Sequence, residues 1–120
     1  MEPAGNAAGN PADKQELTNN QAESRFEIRV GGEVAGFIMY HRIGSHRINL
    51  IHTEVGDQFR GAGIAGKLSR FALDTARQEH LDVLPSCPYV RGWIGKHPEY
   101  LDLVPEARRA EFGLSAGDHA

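Results

Sequence analysis

The sequence predicts an α/β (α+β) domain: a three-strand antiparallel meander, a glycine-rich loop, a central helix, a parallel fourth strand and a short C-terminal helix. Three observations carry that prediction. Apolar and polar residues alternate from Arg25 to Val55, with interruptions at Gly31-Gly32 and Gly44-Ser45. Apolar residues then recur at helical spacing from Ile64. Between the two patterns lies a turn with glycines at 56, 61, 63 and 66.

Each element follows from local pattern. Phe26, Ile28 and Val30 alternate with Glu27 and Arg29, and Gly-Gly then marks a hairpin into Val34 to Tyr40. A second turn leads into Ile48 to Val55, where simple alternation puts Leu50, His52 and Glu54 on one face and Ile51, Thr53 and Val55 on the other. Ile64, Leu68, Phe71, Ala72 and Thr75 give the helix an apolar stripe, with Lys67, Arg70, Asp74 and Arg77 turned away and an end near Glu79 or His80. Val83 and Leu84 form a short strand, parallel to the third because a helix joins them. Pro85 and Pro88 bracket Ser86 and Cys87, and proline leaves ladder positions unpaired, so the strand should splay there. Tyr89 to Lys96 reads as a short helix stopped by His97-Pro98.

Residues 1–22 hold almost no large apolar side chain and are expected to be a disordered tail. The domain is expected over residues 23–105, with a charged tail over 106–120. A chain of 120 residues has room for one modest core. A net charge of −3 gives no electrostatic footprint for nucleic acid. No apolar run approaches the roughly 18 residues of a membrane span, and no apolar signal core follows Met1. A single cysteine allows no internal disulfide, and the six histidines show no metal spacing. A cytoplasmic protein without metal is the expectation, as a monomer or weak homodimer.

The loop decides the functional class. A strand, a glycine turn and a helix N-terminus present unpaired N–H groups and a partial positive charge, which suit a phosphate. Gly61, Gly63 and Gly66 meet G-x-G-x-x-G, but the dinucleotide fold needs an acid closing the next strand, and Asp82 opens it. Gly61, Gly66 and Lys67 fit part of a P-loop, but Leu68 stands where a hydroxyl must bind magnesium. The run Arg60-Gly61-Ala62-Gly63-Ile64-Ala65 meets a third pattern, Arg/Gln-x-x-Gly-x-Gly/Ala. A glycine turn that merely caps a helix is the plain alternative.

With that third pattern the chain resembles the GCN5-related N-acetyltransferases, in which the motif wraps the pyrophosphate of coenzyme A. His52-Thr53-Glu54-Val55, Cys87-Pro88-Tyr89-Val90 and His97-Pro98-Glu99-Tyr100 extend the likeness to a compact single-domain subfamily over roughly residues 25 to 105. The resemblance implies a minimal acyl-CoA N-acyltransferase (GNAT) fold, with acetyl-CoA as cosubstrate in a V-shaped opening between the strands flanking the main helix. It assigns the pyrophosphate to Arg60, Gly61, Ala62, Gly63, Ile64 and Ala65, with Lys67 near the phosphates, and a carbonyl-polarising N–H to Val55. The helices that usually build an acceptor pocket have no counterpart.

Acetyl transfer to an amine also needs a base and a proton for the departing thiolate. Glu54 is the candidate base and His52 a possible relay, although an exposed strand carboxylate and a satisfied histidine are common. Cys87 is the candidate at sulfur, as acetyl acceptor or as acid. An unperturbed thiol pKa near 8.5 permits both, and small buried packing is the plain alternative. Tyr89 and Tyr100 are phenols able to protonate a thiolate. Two functions follow: an N-acetyltransferase acting on an unidentified small-molecule or protein amine, or a module that binds acetyl-CoA or CoA with little transfer.

Overall fold

The computed structural model describes residues 14–114. Five strands form one sheet in sequence order: β1 (Gln15–Asn20), β2 (Arg25–Val30), β3 (Glu33–Ile43), β4 (Arg47–Val55) and β5 (Asp82–Pro85). The first four run antiparallel, and β5 lies parallel to β4. Helix α1 (Ile64–Gln78) crosses between β4 and β5, and α2 (Pro88–Lys96) follows β5. Both glycine hairpins form where the sequence puts them, since Gly31, Gly32 and Gly44 take the positive φ that such turns require.

The meander has one strand more than expected. Residues 15–20 pair in full register with β2, from Gln15 opposite Val30 to Asn20 opposite Arg25. This polar segment is ordered by backbone pairing to an edge, which composition does not reveal. The expected tail is therefore corrected over 14–22, and residues 1–13 lie outside the described residues. At the other end, 3-10 turns at Glu106–Arg108 and Ala110–Phe112 bring Leu114 into the core, 3% exposed, so the ordered domain extends past residue 105.

One face of the sheet holds the core. Phe26 and Ile28 of β2, Ile38 of β3 and Leu50 of β4 meet Leu68, Ala72 and Leu73 of α1, all fully buried. Each large side chain contributes about 2 kcal/mol. A residue with no side chain lets α1 sit close. A Cβ on Gly36 would lie 2.8 Å from the Glu54 carbonyl oxygen, 3.2 Å from Ile64 Cγ2 and 3.3 Å from Leu68 Cδ1. Beyond α1, Tyr100 donates to Asp74 at 2.7 Å and accepts from Arg70 at 3.1 Å, while Arg77 grips Asp102 through both nitrogens. These bonds clamp the 3-10 segment Pro98–Leu103 to the helix.

The opposite face carries Arg25, Glu27 and Arg29 of β2, cross-strand from Met39, Phe37 and Val34 of β3 respectively. Glu27 is a carboxylate only 2% exposed. Burial opposes its ionisation, but hydrogen bonds from Arg25 (2.6 Å) and Asn20 (3.0 Å) and the charges of Arg25 and Arg29 hold its pKa below the ordinary value. A depressed folded pKa stabilises above the unfolded value of about 4.5 and loses that contribution as pH falls through the folded one. The domain should therefore lose stability below about pH 4.5, and Glu27→Gln should flatten that part of the profile while costing about 1–3 kcal/mol at pH 7, as read by urea unfolding across pH.

Candidate active site

The site forms where β4 and β5 part. Their pairing runs from Arg47 opposite Asp82 to Leu50 opposite Pro85 and then stops. Past Pro85 the chain turns away, and the Cys87 N–H closes the fork by donating to the Leu50 carbonyl at 2.8 Å. Strand β4 continues five residues further with its β5-side edge open. The opening expected from the prolines is present.

A bulge in β4 reorders its faces at this point. Met39 pairs with His52 but Tyr40 pairs with Leu50, leaving Ile51 as the extra residue. Leu50 is buried against the core, whereas Ile51 and His52 are both exposed. The expected sharing of one face by Leu50, His52 and Glu54 is thus corrected. Alternation holds only on either side of the bulge, and a bulge cannot be read from β4 alone because its partner's count defines it.

The bulge divides the candidate chemistry between two faces. On the core side, Thr53 points at Cys87, with Oγ1 3.2 Å from Sγ, and the thiol is 2% exposed. On the opposite side, Glu54 and His52 pair at 2.9 Å, with side chains 61% and 52% exposed. The edge of β4 lies between them. Gly56 donates to Ala35, and the Glu54 carbonyl lies over Gly36, so both residues turn their backbone groups toward β3. Strand alternation then directs the Val55 N–H to the open edge.

The loop and the start of α1 supply further donors. Arg60 donates to Asp57 and Ala62 to Phe59, and the first helical bond runs from Lys67 to Gly63. The N–H groups of Ile64, Ala65 and Gly66 precede any intrahelical acceptor. Among the described residues those of Gly61 and Gly63 have no backbone acceptor either. Gly61 (φ 86°) and Gly63 (φ 74°) are left-handed, and a Cβ on either would enter open space. That concave backbone at a helix N-terminus fits a diphosphate. Val55, Phe59, Arg60, Gly61, Gly63, Ile64, Ala65, Gly66 and Tyr89 line a cavity of about 250 Å³ here.

Six of the eight residues assigned to the coenzyme line this cavity. Ala62 does not, and its N–H is taken. Lys67 donates to Gln15 at 2.6 Å and lines a neighbouring cavity of about 430 Å³ with Gly63, Gly66, Arg70, Trp93 and His97. Arg60 is 71% exposed and pairs with Asp57 at 3.0 Å. The two tyrosines separate clearly. Tyr100 is buried and its hydroxyl is engaged behind α1, and burial pushes its pKa up. Tyr89 is exposed in the cavity wall, its hydroxyl 3.9 Å from where a Gly66 Cβ would stand. Thr53, Phe59 and Gly36 were not singled out from the sequence, because their roles depend on what faces them.

A splayed β4–β5 pair beside a glycine-rich helix start is the arrangement the sequence resemblance implied. A family model for the GCN5-related N-acetyltransferases matches residues 25–103. The chain belongs to that family. Protein NATD1 of Homo sapiens is 31% identical over 91 residues, covering 73% of this chain and 80% of that protein. Protein NATD1 of Xenopus tropicalis is 29% identical over 97 residues, covering 78% and 89%. A GCN5-like protein from Staphylococcus aureus, solved in solution, superposes with a TM-score of 0.59 at 26% identity, covering 75% of this chain and 87% of that one. The architecture is the acyl-CoA N-acyltransferase fold. No helix among the described residues is long and apolar enough to cross a membrane.

Proposed function

We propose that this domain is an acetyl-CoA-dependent N-acetyltransferase that moves an acetyl group to an amine across the open edge of β4. The observation that carries the reading is the division of groups by that edge, with the donor cradle and Cys87 on one side and Glu54 on the other. When bound, acetyl-CoA supplies an activated thioester. The N–H groups of Gly61, Gly63, Ile64 and Ala65 hold its diphosphate, and Tyr89 and Val55 border the path to the reacting end. The Val55 N–H donates to the acyl oxygen as negative charge develops there.

Glu54 takes the proton from the incoming ammonium, and His52, 2.9 Å away, passes it to solvent. Cys87 serves as the acid for the departing thiolate and not as a nucleophile. A nucleophilic cysteine needs a partly exposed, electropositive setting, whereas this thiol is buried against a neutral hydroxyl.

Titration with acetyl-CoA, followed by amide chemical shifts and intact mass, tests this reading. Shifts should centre on residues 60–66, with no stable acetyl adduct on the protein. Cys87→Ala should leave coenzyme affinity unchanged and lower turnover about 10–100-fold. Glu54→Gln should lower kcat by about 100-fold without changing the KM for acetyl-CoA. An acetyl mass at Cys87 that chases into product would replace direct transfer by a covalent route. Tight binding with no transfer to any amine would favour the coenzyme-binding module.

A further inference from the structure

The face of the sheet that carries Glu54 also says what kind of amine can reach it. Two neighbouring rows define its chemistry. Glu54 lies cross-strand from Phe37, which lies cross-strand from Glu27. The next row holds His52, Met39 and Arg25. The Arg25 guanidinium stands 4.5 Å above the Phe37 ring, so a positive charge hangs one strand from the Glu54 carboxylate. Met39 and Ile51 stand exposed to one side of that row, at 42% and 41%, and Phe37 beside Glu54 is half-buried.

This surface has no walls among the described residues. Only a three-residue turn, Gln21–Glu23, joins β1 to β2, and α1 packs on the other face. Small-molecule sites bury most of their ligand in a concavity, which an open sheet face does not offer. A protein acceptor brings its own surface and encloses its own amine.

We infer that the acceptor is a lysine side chain in an extended segment of a protein, with an acidic residue two positions away. This rests on the transferase reading above. The apolar stem of the lysine lies along Met39, Ile51 and the rim of Phe37, and its ammonium meets Glu54. In an extended chain residues two apart share a face and stand about 7 Å apart. The Arg25 guanidinium leans over Phe37, whose strand lies about 4.8 Å from that of Glu54, so an acid at the next position on that face comes up to it. Arg25 already has one partner in Glu27, but its side chain is 29% exposed and offers further donors to a carboxylate. Lysine before Glu54 and an acid before Arg25 is charge complementarity in both places. The step itself balances: the ammonium gives one proton to Glu54, the neutral lysine nitrogen bonds to the acetyl carbon, the carbon–sulfur bond breaks, the thiolate takes its proton from Cys87, and the second proton leaving the nitrogen restores the Cys87 thiol.

The test uses the full chain with acetyl-CoA and three acceptors, reading CoA release and product mass. Two are end-blocked pentapeptides, Ala-Lys-Ala-Asp-Ala and Ala-Lys-Ala-Lys-Ala, and the third is spermidine. The acidic peptide is expected to show kcat/KM at least tenfold above the basic one and above spermidine. Arg25→Gln should erase the preference between peptides while leaving acetyl-CoA affinity unchanged. Since that change also loosens Glu27, Met39→Glu at an exposed position is the second variant. It should lower kcat/KM for the acidic peptide at least tenfold. Equal rates for the two peptides, or a preference for spermidine, would overturn this inference and leave the transferase standing. Acetyl-CoA binding with transfer to none of the three would overturn it as well. Absent coenzyme shifts at residues 60–66 would remove both readings together.

Discussion

Gly63→Asp is expected to weaken acetyl-CoA binding at least 100-fold, about 2.7 kcal/mol, as measured by calorimetric titration. Two effects combine. Gly63 sits at φ 74° as the N-cap of α1, and a residue with a Cβ pays about 1–2 kcal/mol to remain left-handed there. The added carboxylate also enters the space in front of the N–H groups of Ile64 and Ala65, where the proposed diphosphate lies, and like charges repel in a partly enclosed cleft. Gly63→Asn separates these terms, because asparagine tolerates the same backbone without charge. It should lose about tenfold. Equal losses for both variants would mean that the loop geometry, not anion contact, was disturbed, and unchanged binding by both would remove the phosphate assignment. Thermal melts of the free variants check that the fold is retained.

Gly36→Ala is expected to cost about 2 kcal/mol of stability and to lower Tm by about 8–16 °C. The new methyl would stand 2.8 Å from the Glu54 carbonyl oxygen, with Ile64 and Leu68 behind it. Two of those atoms belong to the helix that carries the loop and the third to the strand that carries Glu54. Neither can yield without moving a part of the site. The loss of stability should therefore come with weaker coenzyme binding, although residue 36 lines neither cavity beside the loop. Differential scanning calorimetry and the same acetyl-CoA titration read the two effects on one sample. Undisturbed stability would mean that α1 sits further from β3 than these distances say.

The loop and the opening were legible in the sequence for local reasons. Glycines at 61 and 63 serve a backbone that must turn left-handed, and prolines at 85 and 88 cannot continue a ladder, so residue identity alone fixes the outcome. The helix likewise follows from its own periodicity, with Ile64–Gln78 ending just short of the expected Glu79 or His80. Strand β1 was illegible for the opposite reason. Gln15–Asn20 carries no pattern of its own and is ordered by the ladder that β2 offers. Gly36 owes its role to α1 and β4, whose atoms crowd it from elsewhere in the chain.

What the sequence by itself determined about this protein is the order of its elements from β2 onward, the left-handed glycine turn before the helix and the place where two strands must part. Each rests on conformational limits that act within a few residues of chain. Only the tertiary structure decided which candidates work together. The extra residue Ile51 is counted against β3, and that count turns Glu54 and His52 to one face while Thr53 meets Cys87 on the other. A side chain's face in a sheet is a property of the pairing, and the pairing exists only once the strands have met.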